Sequence, residues 1–415
     1  MKLRHEARAV AEAALEAVRP GPALERFLEG RLFPGRVVVI AVGKAAWPMA
    51  AVARKILGDR VTAGLVVTKE GHGGGELGPW TIVEAGHPLP DRRSEEAAAR
   101  ALDGVSGLGE DDVVLLLLSG GGSALMEKPL PGLSLDDLAS LTDRLLRRGA
   151  DIVEINSLRK RLSAVKAGRL ARAAFPAQVL TLALSDVLGD RLDSIASGPA
   201  WPDGTTSEEA LAVARRYGLE LSPVMEERLK EETAKALPNV EGHVIGGVSH
   251  LCRAAADEAR RRGFSPLLLT TSYDGEAREL GRLFGSVARE IVRSGHPVAP
   301  PCAVLVGGES VVHVRGGGRG GRNQECALAA ARSLDGMEGV AFLALGSDGT
   351  DGPTDAAGGL VDGGTWRRLA AAGLDGRALL DDNDAYRALE AAGDLLRTGP
   401  TGTNVNDLAL LLVEG

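Results

Sequence analysis

The stretch LLLLSGGGSALM, residues 115–126, passes from four leucines through three glycines into a serine, an alanine and a leucine. An apolar run without alternation is a strand buried on both faces, and the segment after it has the character of a helix start. A strand-to-helix turn alone rarely needs three glycines. Three glycines let backbone N–H groups converge on a phosphate, with Ser119 and Ser123 as further donors. Ser119, Gly120, Gly121, Gly122 and Ser123 are therefore expected to bind nucleotide phosphates.

The same alternation continues on both sides. Apolar runs at 36–42, 64–68, 81–85, 112–118 and 178–184 read as strands, and 44–57, 92–104 and 134–147 have helical periodicity. Strands of this kind between helices predict a parallel sheet with helices on both faces. A second series runs through HVIGG (243–247), SPLLLT (265–270), CAVLVGG (302–308), VVHV (311–314), VAFLALG (340–346) and LALLLV (408–413). VLVGGESVVHV is expected to fold as a hairpin about Gly307-Gly308, which would make the second sheet mixed. The last strand has the option of packing elsewhere. Residues 207–239 are polar and helical, and the domain boundary is placed at their end. The expected organisation is α/β with two domains, 1–239 and 240–415, and a ligand site in a cleft between them.

Composition narrows the chemistry. The net charge of −8 argues against binding nucleic acid or a membrane surface. Cys252, Cys302 and Cys326 are odd in number and widely spaced, which excludes a disulfide frame and fits a cytoplasmic protein. The N-terminus carries Glu6, Glu12 and Glu16 and reads as an amphipathic helix, not a targeting segment. None of the nine lysines lies beyond Lys235, so an essential lysine must come from the first half.

Lys44 follows the apolar run VVVIAVG and opens a helix, where a cation opposes the helix dipole unless an anion binds there. Gly43-Lys44 is not a Walker A motif, since Val38 and Ala45 stand where a glycine and a hydroxyl are required. After the strand ending at Leu184 come Asp186, Asp190 and Asp193, able to hold Mg²⁺ or act as a base, although turns and caps also use such residues. Asp186 is singled out. A second acidic loop carries Asp348, Asp351 and Asp355, and Glu309 stands at a strand edge. VRGGGRGGRNQE (314–325) supplies five glycines with Arg315, Arg319 and Arg322, which suits a compact carboxylate or phosphate. Its match to G-x-G-x-x-G through Gly316, Gly318 and Gly321 is weak in so glycine-rich a run. The basic residues of INSLRKRLSAVKAGRLA (155–171) are expected on a solvated helix face, with Lys166 near a turn.

Taken together, the segments LLLLSGGGSALMEKPLPGLSLDDL, INSLRKRLSAVKAGRLA, LSDVLGDRLDSIASGP, GGESVVHVRGGGRGGRNQE and GSDGTDGPTDAAGG closely resemble the class II glycerate kinase family, whose C-terminal part is the MOFRL domain. The resemblance covers nearly the whole chain. It implies a Rossmann-like N-terminal domain, a smaller α/β C-terminal domain and phosphorylation of D-glycerate by ATP with Mg²⁺, with 2-phosphoglycerate as product. It maps a lysine and an arginine of the family's cleft onto Lys44 and Arg322. With Asp186 these form the expected catalytic set. Arg319, Asn404 and Asn406 are expected at the substrate, and Asp190, Asp348, Asp351 and Glu309 at the metal. A homodimer is one candidate assembly. The competing readings are an NAD(P)H-dependent hydroxypyruvate reductase and a non-catalytic binder of sugar acids or phosphates.

Overall fold

A computed structural model describes residues 2–415, which divide into two compact units. Pro20–Ile245 forms one; Gly246–Gly415, with the N-terminal stretch up to Arg19, forms the other.

The first unit holds β1 (Val37–Val42), β2 (Val61–Lys69), β3 (Thr81–Ala85), β4 (Val113–Leu118), β5 (Gln178–Leu184) and β6 (Val240–Gly246). Their order is β3-β2-β1-β4-β5-β6, and the pairs from β3 through β5 are parallel. Val38, Ile40 and Val42 enter one core, while Val37, Val39 and Ala41 enter another on the opposite face. Leu116 and Leu118 against Leu115 and Leu117 repeat this division. Both faces are covered, which is why these strands read as unbroken apolar runs. Strand order reverses between β1 and β4, so their carboxyl ends flank the crevice where open α/β sheets take ligands. Four helices, Leu135–Arg147, Ile152–Leu162, Ser207–Arg216 and Pro223–Lys230, gather Leu138, Leu141, Leu158 and Leu229 into a small core of their own.

The second unit contains β7 (Ser265–Tyr273), β8 (Cys302–Gly308), β9 (Val340–Gly346), β10 (Gly358–Asp362), β11 (Leu395–Leu396) and β12 (Asp407–Val413). The order is β11-β10-β9-β12-β8-β7, with β7 parallel to β8 and the remaining pairs antiparallel. Helices Ala277–Ser294 and Arg322–Ser333 seal one face around Phe284, Leu328 and Phe342. Helix Lys2–Ala17 packs on helix Val248–Arg261 and on β9 and β12, burying Ala7, Val10 and Ala14 completely.

Three expectations change. The unit boundary falls at 245/246, because β6 lies beside β5 and completes the first sheet; the Val179 N–H donates to the Asn239 carbonyl at 2.8 Å. The N-terminal helix belongs to the second unit, where Arg4 reaches Asp362 and Asp394, each at 2.9 Å. The second sheet is mixed, but not through a hairpin at Gly307-Gly308. Residues 312–314 form no strand, and Val311 makes a single bridge with Glu276. The antiparallel partner of β8 is β12, which sits in the middle of the sheet with every residue buried.

Candidate functional site

In the first unit, the loops after β1 and β4 are tied together by the Lys44 N–H donating to the Gly120 carbonyl at 2.9 Å. The Ser119 hydroxyl accepts from the Ala45 N–H at 3.0 Å, so it anchors the start of helix Ala46–Leu57. Each of the three glycines faces a close neighbour. A Cβ on Gly120 would lie 2.1 Å from Asp186 Oδ2, one on Gly121 3.0 Å from the His87 ring, and one on Gly122 2.8 Å from the Ala196 Cβ. Gly121 also has φ +86°, a conformation that disfavours any side chain. Lys44 Cγ approaches the same Gly121 position to 3.5 Å. Lys44, Asp186 and the turn are thus neighbours. His87 joins them although the sequence reading passed over it. Burial, then the Lys44 charge, holds its imidazole below the ordinary pKa.

Ser123 Oγ lies 2.7 Å from Ser197 Oγ. Asp190 adopts φ +54° and its Oδ1 is buried without a hydrogen-bond partner. Asp193 pairs with Arg191 at 2.7 Å.

The basic segment 155–171 is not a solvated face. Lys160, Arg161 and Lys166 are buried. Lys166 Nζ donates to the Ser123 carbonyl at 2.8 Å and to the Glu127 carboxylate, and burial pushes its pKa down to about 8. Lys160 lies between Asp193 and Asp203, 3.7 and 3.6 Å away. Arg169 donates to the carbonyls of Lys160 and Ser163 and so caps helix Ile152–Leu162. These partners are too distant in sequence for helical periodicity to reveal them.

The second unit has a cavity of about 750 Å³ at the ends of β8, β9 and β12. Arg322, the first residue of helix Arg322–Ser333, lines it together with Asp348, Asp351, Asn404, Asn406 and Asp407. Arg322 grips Asp407 with two hydrogen bonds, Nε to Oδ2 at 2.7 Å and Nη2 to Oδ1 at 3.0 Å, while Nη1 donates to Glu309 at 2.9 Å. Burial works to lower the pKa of Arg322, but Asp407 and Glu309 outweigh it and raise the value. Burial pushes Asp407 up to about 6 against the pull of Arg322.

Arg319 and Arg315 do not line this cavity. Arg319 stacks over the Tyr386 ring, 3.8 Å from its centroid, and both arginines are exposed. Gly316, Gly318 and Gly321 serve a close approach within the protein itself. A Cβ on Gly316 would fall 2.2 Å from Asp382 Oδ1, and one on Gly321 2.3 Å from Asp351 Cγ. The loop N–H groups are already taken: Arg315 and Gly316 donate to Asn383 Oδ1, and Gly317 to Asp382.

Among the described residues, no group of three or more His, Cys, Asp or Glu side chains is placed to hold a metal ion. Asp351 accepts from the N–H groups of Asn323 and Gln324 at 3.1 and 2.8 Å, which makes it the cap of the Arg322 helix. Glu309 is paired with Arg322. Asp348 accepts from the Thr350 N–H and hydroxyl while lining the cavity. Asn406, at φ +65°, accepts through its carbonyl from the Ser347 N–H.

Residues 6–230 match a domain of unknown function, DUF4147, and residues 302–407 match the MOFRL family. D-Glycerate 2-kinase of Thermotoga maritima is 51% identical over 404 residues, which is 97% of each chain. A protein of Agrobacterium vitis provisionally named a hydroxypyruvate reductase is 42% identical, covering 99% of this chain and 94% of its own. The crystal structure of glycerate kinase from Thermotoga maritima matches with a TM-score of 0.97 over 99% of each chain.

Proposed function

Because the chain belongs to the glycerate kinase family that carries the MOFRL domain, we propose that it is a glycerate 2-kinase. It transfers the γ-phosphoryl group of ATP to the 2-hydroxyl of D-glycerate. The observation that carries this reading is Arg322, a guanidinium fixed on one side by Asp407 and lining a cavity large enough for a small acid. Arg322 is assigned to the glycerate carboxylate or to the transferring phosphoryl group, whose charge it would stabilise in the transition state. Asn404 and Asn406 are assigned to the substrate hydroxyls.

The glycine turn and Lys44 are assigned to the nucleotide phosphates. Asp186, held against Gly120, is assigned to accept the proton of the attacking hydroxyl. Mg²⁺ typically takes one or two carboxylates and meets its remaining coordination with phosphates and water. Asp348 fits that demand better than a dedicated cage does, and the bound ion would neutralise phosphate charge. Among the described residues no helix is long and apolar enough to cross a membrane. We place the enzyme in the cytoplasm on its cysteine usage.

The name of the Agrobacterium relative raises hydride transfer as a second reading. Gly316 and Gly318 speak against it, since their N–H groups are engaged by Asn383 and the Asp382 carbonyl and are not available to a pyrophosphate. Parallel assays separate the two: D-glycerate-dependent ATP consumption is expected. NADH oxidation with hydroxypyruvate, without ATP turnover, would replace the kinase assignment.

A further inference from the structure

We infer that Asn383 is the positioning residue that sets the Arg322 loop, a claim resting on the kinase reading for its kinetic part only. Asn383 lines the same cavity, is 7% exposed and adopts φ +57°, a left-handed conformation uncommon outside glycine. Its side chain is hydrogen-bonded on both ends. Oδ1 accepts from the N–H groups of Arg315 and Gly316 at 2.7 and 3.1 Å. Nδ2 donates to Glu325 Oε2 at 2.8 Å and, more weakly, to the His313 carbonyl at 3.4 Å.

Glu325 lies one turn into the helix that begins with Arg322, and it is buried. Its other oxygen, Oε1, is held by Arg278, itself buried and donating to the Leu380 carbonyl at 2.6 Å. Asn383 therefore joins two things that must be in register for Arg322 to face the cavity. One is the glycine loop leading into the helix, and the other is the helix's first turn. An amide is the side chain that meets this need, because it accepts from the loop and donates to a carboxylate at the same time. Aspartate keeps the acceptor and loses the donor, setting a second carboxylate against Glu325. Glycine keeps the backbone conformation and removes the whole hub.

The test uses Asn383→Gly, Asn383→Asp and the swap variant Asn383→Asp/Glu325→Gln, which restores a donor on the opposite partner. Hydrogen exchange at the Arg315 and Gly316 amides reads the hub without reference to activity. Protection is expected to fall in Asn383→Gly and to persist in the swap variant. With ATP and D-glycerate, both single variants are expected to lose about tenfold or more in kcat/KM, chiefly through the D-glycerate KM. The swap variant is expected to recover most of that loss. Unchanged amide protection in Asn383→Gly overturns the inference, as does wild-type kcat/KM in both single variants or a swap variant no better than Asn383→Asp. If the wild type itself does not phosphorylate D-glycerate, the kinase reading fails, and the exchange measurement alone decides the hub.

Discussion

Arg322 and Asp407 form a two-point ion pair between the first residue of a helix and the first residue of β12, with contacts of 2.7 and 3.0 Å. Asp407 is buried, whereas Glu309, the third partner, is about half exposed. The buried carboxylate fixes the guanidinium, and the exposed one is the partner a substrate anion can most easily replace.

Arg322→Ala is expected to lower kcat/KM for D-glycerate by roughly 10³-fold or more, the scale of an arginine acting on a transferring phosphoryl group. Arg322→Lys should recover little of this, because a point charge cannot reproduce the two-point grip. Steady-state kinetics with circular dichroism on both variants checks it. Near-normal turnover in a folded Arg322→Ala protein would remove the arginine from the chemistry.

The Asp407 carboxyl gives a pH dependence. Its pKa rises from 3.8 to about 6 on folding, so the folded chain binds this proton more tightly than the unfolded one. Its contribution to stability therefore grows as pH falls through about 6 and is unfavourable above it. Activity should run the other way, since a protonated Asp407 no longer holds Arg322 by charge. The ratio of kcat/KM between wild type and Asp407→Asn should decline below about pH 6, which cancels the titration of ATP common to both. A ratio that is flat from pH 5 to 8 contradicts the assignment.

Two glycines should respond in opposite senses to alanine. Gly121→Ala strains a residue at φ +86° and presses on His87, so activity should fall about tenfold or more with on the order of 1–2 kcal/mol lost in stability. Gly104 lies in helix Arg92–Val105 with nothing within 4 Å of its Cβ position. Gly104→Ala should stabilise by roughly 0.5–1 kcal/mol and leave kinetics untouched. Denaturant titration and initial rates measure both.

Lys166 and Glu127 are both fully buried beneath the glycine turn. Lys166→Met leaves the buried Glu127 carboxylate with only Arg159, 3.8 Å away, and should cost up to about 3–5 kcal/mol. Lys166→Met/Glu127→Leu should recover much of that loss. Chemical unfolding of the three proteins supplies the comparison, and equal loss in single and double variants would show that the pair is not coupled.

Much of this architecture was legible because burial on both faces leaves a plain trace. VVLLLL and VVVIAV read as parallel strands from composition alone, and the loops after them and after QVLTLAL point to Gly120, Lys44 and Asp186. Periodicity is silent about which sheet a strand joins, so HVIGG reads as the start of the second series although β6 completes the first sheet. VVHV has the composition of a strand but no partner beyond one bridge, whereas GGLVD, opening with glycines, hides β10. By loop composition alone Arg319 and Arg322 are alike; the family resemblance singles out Arg322, and the helix start and Asp407 account for its position. The buried roles of Lys160 and Lys166 depend on Asp203 and Glu127, which lie 43 and 39 residues away.

The most direct measurement supplies D-glycerate, ATP and Mg²⁺ to the purified protein and passes the product to enolase without phosphoglycerate mutase. Immediate formation of phosphoenolpyruvate is the result this account predicts, because only the 2-phosphate is an enolase substrate. ATP consumption whose product needs the mutase would move the phosphoryl group to carbon 3, and absence of ATP consumption would contradict the kinase assignment itself.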